Sequence, residues 1–107
     1  MAKANKPLTK KEMQKLTDNT LGWKLTSGDT KLVKTFVFEK HIDALIFIAR
    51  LTVHTELLQH HPTILFTHQS VKITLTTHEL KKLTRQDLAL LARIEKTHTK
   101  LQDGDNS

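Results

Sequence analysis

The sequence predicts an α+β domain in which an antiparallel sheet is covered by helices on one side. Three observations carry that prediction. Val71, Ile73 and Leu75 alternate with Lys72, Thr74 and Thr76, the period of a half-buried strand. Apolar residues recur at three- and four-residue steps from about His41 to Gln59, the period of a helix. Ser27-Gly28-Asp29 supplies turn chemistry between two short strand-like runs. Together these give the order α-β-β-α-β-β-α.

The elements follow in chain order. Thr9-Lys10-Lys11-Glu12 is a capping-box pattern and opens a short helix to about Asp18. Leu21-Gly22-Trp23 ends that helix and begins a strand, and Thr35-Phe36-Val37-Phe38, rich in β-branched and aromatic residues, completes a hairpin. In the central helix Ile42, Leu45, Ile46, Ala49, Val53 and Leu57 form the stripe expected to be buried. Phe47, Ile48, Leu51 and Leu58 lie off it, so the helix needs a second partner, for which another subunit is expected. Pro62 stops this helix, Ile64-Leu65-Phe66 forms a short strand, and Thr84-Arg85-Gln86-Asp87 caps a last helix carried on by Leu88, Leu91, Ala92 and Glu95. Trp23 and the phenylalanines are expected in the core. A basic arm over residues 1–8, one domain over 8–100 and a polar tail over 101–107 complete the expected division.

Composition removes several function classes. The chain has 107 residues, one domain's worth, and no cysteine, which excludes disulfides, thiolate nucleophiles, Cys-ligated zinc and iron–sulfur clusters. No stretch reaches the ~20 apolar residues of a membrane span, and no apolar leader opens the chain, so a soluble protein of the cytoplasm is expected, or of the nucleus in a eukaryote. The net charge of +6 suggests nucleic acid, but residues 1–15 alone hold five lysines against Glu12. The excess marks a leading arm rather than a stripe across the domain. The three glycines are scattered and form no phosphate-cradling loop, and no serine sits in an elbow motif.

The unusual component is histidine, seven in all, with His60-His61-Pro62 at a helix end and His78 at a strand end. Imidazole titrates nearest neutrality, so such a cluster can both donate and accept protons. Glu56 lies one turn before His60, where it can hold a tautomer or bind a polar substrate. The strand's alternation places His78 on the face opposite Val71, Ile73 and Leu75. Each residue also has a plainer use. His60 and His61 complement the negative end of a helix dipole, His78 and Glu56 are solvated surface positions, and Asp87 caps its own helix. His41, His54 and His98 show no partner pattern. A zinc site lacks its spacing: there is no H-E-x-x-H, and adjacent helical positions such as His60 and His61 diverge by about 100°.

Glu56-x-x-x-His60-His61-Pro62, then Val71-x-Ile73-x-Leu75-Thr76-Thr77-His78-Glu79, then Leu83-Thr84-x-x-Asp87, resembles the pterin-4a-carbinolamine dehydratases. Gly22-Trp23 and Phe36-x-Phe38 match the same pattern, so the resemblance covers about residues 8–97. It implies a four-stranded antiparallel sheet with helices packed on one face, and dimers that pair into tetramers through helices. It also implies loss of water from 4a-hydroxytetrahydropterin to give quinonoid dihydropterin in tetrahydrobiopterin recycling, with neither metal nor organic cofactor. By the resemblance His60, His61 and His78 are the catalytic residues, with His61 and His78 the principal proton-transfer groups and His60 assisting. Glu56, Gln59, Thr76, Thr77 and Glu79 would bind substrate, Pro62 would fix the turn, and Asp87 would support His78. Three departures stand out: His68 where an aromatic residue is usual, Lys82 for a glycine, and Gln59 for Asp or Asn.

The expected partners are therefore a small-molecule pterin and further copies of the chain, as homodimer or homotetramer, with no membrane. Some animal members of the family also stabilise the dimer of a homeodomain transcription factor. A binding or assembly protein on the same fold is thus the alternative reading, and a nucleic-acid-binding module built on the lysine-rich start ranks below it.

Overall fold

The computed structural model describes residues 7–19, 22–26, 28 and 30–102. Its elements are α1 (Lys10–Asn19), β1 (Lys24–Thr26), β2 (Lys31–Val37), α2 (His41–Leu58), β3 (Thr63–Thr67), β4 (Ser70–Leu75) and α3 (Arg85–Gln102). The strands form one antiparallel sheet in the order β1-β2-β4-β3. This is the predicted α+β architecture. Most of the expected basic arm and polar tail, with Leu21, Ser27 and Asp29, lies outside the described residues. No helix among the described residues is long and apolar enough to cross a membrane.

Local chemistry sets the element ends. The Thr9 amide donates to Glu12 Oε1 at 3.0 Å and the Glu12 amide to Thr9 Oγ1 at 3.2 Å, a reciprocal capping box opening α1. Gly22, at φ +92°, makes the left-handed turn into β1 that a side chain would strain. Arg85 then ties α3 to α1 through Glu12 at 2.9 Å.

The core lies between one face of the sheet and helices α2 and α3. Leu32, Phe36, Val71, Ile73 and Leu75 point down from β2 and β4, and Ala44, Phe47, Leu51, Leu90 and Ile94 meet them from the helices. Trp23 is buried as expected, and its indole N–H donates to Glu95 Oε2 at 2.8 Å, which also pairs with Lys34 at 2.6 Å.

The buried side of α2 is the reverse of the expected one. Ala44, Phe47, Leu51 and Thr55 face the core, while Ile42, Leu45, Ile46, Val53 and Leu57 are exposed, Leu57 at 71 %. A helix apolar on nearly every side carries no directional signal of its own. Packing decides instead: Phe47 lies 5.0 Å from Phe36 and 5.2 Å from Phe38, ring centre to ring centre. The helix nevertheless has two apolar faces, and the second is exposed among the described residues.

His98 completes this aromatic cluster, 4.8 Å from Phe36, 5.7 Å from Phe38 and 5.8 Å from Phe47. Burial lowers its pKa from the ordinary 6.5, with Glu95 opposing and Lys34 adding to the effect. The folded chain thus binds this proton less readily than the unfolded one. The resulting stability is full above the ordinary imidazole value and is lost as pH falls below it. Urea unfolding at pH 7.5 and 5.5 is expected to show a drop in midpoint that His98→Gln diminishes.

Candidate active site

The site grows from the way α2 ends. Gln59 takes left-handed backbone geometry at φ 50°, and its side-chain amide donates to the Glu56 carbonyl at 2.7 Å. That position suits Asn or Asp, which bond locally with ease. Gln59 meets the requirement with a longer side chain. The turn carries His60 inward, its amide donating to the Thr55 carbonyl at 3.1 Å, and Pro62 leads the chain away toward β3.

His60 is buried, and its Nε2 lies 2.6 Å from Asp87 Oδ1. The other oxygen of Asp87, itself fully buried, accepts the Thr77 hydroxyl at 2.8 Å and the Thr84 amide at 2.9 Å. The Thr77 and Thr84 hydroxyls share a further bond of 2.7 Å. A carboxylate only accepts, so His60 Nε2 carries a proton and is the donor. Asp87 therefore performs the capping role expected of it and holds a histidine as well. That histidine is His60, where His78 was expected.

His61 and His78 are presented differently. His61 is exposed, and its Nε2 lies 2.6 Å from Glu56 Oε2. Helical spacing alone predicts that Glu56 meets His60. The left-handed Gln59 breaks that spacing and brings His61 to the carboxylate instead. With Nε2–H donating to Glu56, the neutral form of His61 has its acceptor lone pair at Nδ1. His78 does not lie on a continuing strand, because β4 ends at Leu75. It starts a tight turn in which the Leu80 amide donates to the Thr77 carbonyl at 3.1 Å and the Lys81 amide to the His78 carbonyl at 3.3 Å. His78 and Glu79 are both exposed there.

One carboxylate thus holds the residues that precede both exposed histidines. His61 directly follows His60, and His78 directly follows Thr77. Both buried residues are bonded to Asp87. The end of α2 and the turn after β4 are pinned to a single point on α3.

The remaining predicted residues divide. Thr76 is buried and its hydroxyl donates to the Thr30 carbonyl at 2.8 Å, and Thr77 is only 1 % exposed. Both hydroxyls are committed to protein groups. Lys82 takes ordinary backbone geometry, and its carbonyl accepts the Thr77 amide at 2.9 Å. The left-handed position of that turn is Lys81, at φ 52°. His68 makes the turn between β3 and β4, where its carbonyl meets His41 Nδ1. Sequence reasoning missed the Thr77–Thr84 bond. Thr84 and Asp87 stand three apart at the start of α3, the one local sign of that cluster. Among the described residues, no group of three or more His, Asp or Glu is placed to hold a metal ion.

Comparison with known proteins decides the family. The family model described as pterin 4 alpha carbinolamine dehydratase matches residues 6–97. The chain belongs to that family. A relative from Nostoc punctiforme is 40 % identical over 80 residues, spanning 75 % of this chain and 84 % of its own. One from Rhodopseudomonas palustris is 32 % identical over 85 residues, spanning 79 % and 84 %. Both carry the provisional name pterin-4-alpha-carbinolamine dehydratase. Among solved structures, a transcriptional coactivator/pterin dehydratase from Brucella melitensis superposes with a TM-score of 0.81 at 26 % identity, covering 86 % of this chain and 98 % of that one. A pterin dehydratase-like protein, identified as a RuBisCO assembly factor in the alpha-carboxysome, superposes at 0.63 with 25 % identity, covering 73 % and 90 %. The pterin dehydratase family therefore includes proteins described by roles other than catalysis.

Proposed function

We propose that this chain dehydrates 4a-hydroxytetrahydropterin to quinonoid dihydropterin, in tetrahydrobiopterin recycling in the cytoplasm. The observation that supports this reading is the shared carboxylate of Asp87, bonded to His60 and Thr77, the residues that immediately precede the two exposed histidines. In the reaction the C4a–O bond breaks, the departing hydroxide takes a proton, N5 gives one up, and a C4a=N5 double bond forms. Nothing is oxidised or reduced. Histidines suit both transfers, since their pKa lies near the working pH.

In this reading His61 and His78 move the protons. Glu56 fixes the His61 tautomer and leaves Nδ1 toward the substrate. His60 acts through position: its bond to Asp87 sets the backbone from which His61 projects. Gln59 and Glu79 border the site, while Thr76 and Thr77 serve as its frame. Dehydration of synthetic 4a-hydroxytetrahydropterin by the wild-type chain tests this directly.

A second reading, a binding or assembly protein, draws on the exposed α2 stripe of Ile42, Leu45, Ile46, Val53 and Leu57. The Brucella coactivator and the RuBisCO assembly factor make such a role available to this fold. We assign the stripe first to self-association as a dimer or tetramer. Light scattering at micromolar concentration is expected to return a multiple of the chain mass, and Ile46→Lys to lower it. A wild-type monomer would remove self-association and leave the stripe to another partner.

A further inference from the structure

On the helical layer, α2 and α3 enclose a groove that the dehydratase reading does not use. Two overlapping cavities, of about 510 and 420 Å³, share His54, Thr97 and Lys100 and run together as one cleft. Arg50, Val53 and His54 form the α2 wall, and Arg93, Lys96 and Lys100 form the α3 wall. No carboxylate lines either cavity. Among the described residues, ion pairs engage Lys34 and Arg85 but not Arg93, Lys96 or Lys100.

We infer that this groove binds a small phosphate-bearing anion, a phosphate ester or diphosphate, independently of the pterin site. The guanidinium of Arg93 offers a planar fork and Lys96 and Lys100 offer point charges, a combination suited to one compact multivalent oxyanion. A phosphate group concentrates charge that separate carboxylates would spread. Nucleic acid fits less well. The α3 cations from Arg93 to Lys100 span only about 10 Å of helix, and no Phe, Tyr or Trp lines the cleft for base stacking.

His54 registers the positive charge that Arg93 and Lys96 bring to the cleft. Arg93 Nη1 lies 3.2 Å from His54 Nδ1, a contact that requires the ring nitrogen to accept. Burial lowers the His54 pKa, and Arg93 and Lys96 lower it further. The groups facing this ring are Arg50 on its own helix and Arg93, Lys96 and Lys100 across the cleft, all cationic. A bound anion reverses that field and draws a proton onto His54.

The test follows the His54 ring signals by NMR in the full chain, using inorganic pyrophosphate and phenyl phosphate as probes. Saturable shifts are expected, with the His54 midpoint moving to higher pH on binding. The paired variant Arg93→Gln, Lys96→Gln should weaken binding at least tenfold while melting normally without probe. Should that variant unfold, Lys100→Gln alone gives the same readout at smaller amplitude. The inference is overturned if neither probe saturates, if the shifts persist in the variants, or if chloride at equal ionic strength reproduces them. Tighter binding of a poly-glutamate peptide or of duplex DNA than of either probe would likewise overturn it.

Discussion

Replacing Asp87 with alanine is expected to lower folding stability by about 3–5 kcal/mol, the cost of removing one partner from a buried pair. Asp87 is fully buried, and its carboxylate satisfies His60, Thr77 and the Thr84 amide together. Alanine leaves all three without that acceptor inside the protein, where each unmet polar group is costly. It also removes one half of the cap at the start of α3, leaving the Thr84 hydroxyl to accept the Gln86 amide. Urea unfolding reads the effect as a large fall in midpoint, whereas a change within ~0.5 kcal/mol would show that the cluster contributes little. Asp87→Asn keeps an acceptor and the side-chain volume, so a smaller loss is expected. Its residual activity reports how far the placement of His61 and His78 depends on the charge.

Replacing His61 with alanine is expected to reduce the dehydration rate by roughly 10²–10⁴-fold, the usual contribution of one positioned acid or base. The fold should be unaffected, because the His61 side chain is 57 % exposed and, among the described residues, bonds to a similarly exposed Glu56. His78→Ala is expected to fall in the same range for the same reason. His60→Ala should behave otherwise, losing stability as well as rate, since it strands Asp87. That contrast separates the two exposed proton carriers from the buried residue that positions one of them. Equal loss of stability in all three variants would contradict the assignment.

The parts of this protein legible in its sequence are those set by near neighbours. The Thr9–Glu12 and Thr84–Asp87 caps bond over three residues, and the alternation of Val71, Ile73 and Leu75 states which face of β4 is buried. The seven-element order follows from such signals. The buried face of α2 was not legible, because apolar residues surround that helix and only contact with Phe36 and Phe38 chooses among them. In the site, histidine clustering drew attention to the relevant residues, but their pairing was hidden. Asp87 reaches back 27 positions to His60, and one left-handed residue at Gln59 exchanges Glu56's partner. His54 and His98 carried no sign at all: one meets Arg93 across 39 positions, the other an aromatic cluster drawn from β2 and α2. Their surroundings exist only once α2 and α3 pack together.

The most direct measurement is the rate at which the wild-type chain dehydrates synthetic 4a-hydroxytetrahydropterin, set against the uncatalysed rate and against folded His61→Ala. Marked acceleration by the wild type, lost by that variant, is the result the account predicts. A wild-type rate equal to background would contradict it and leave the exposed face of α2 as the functional surface.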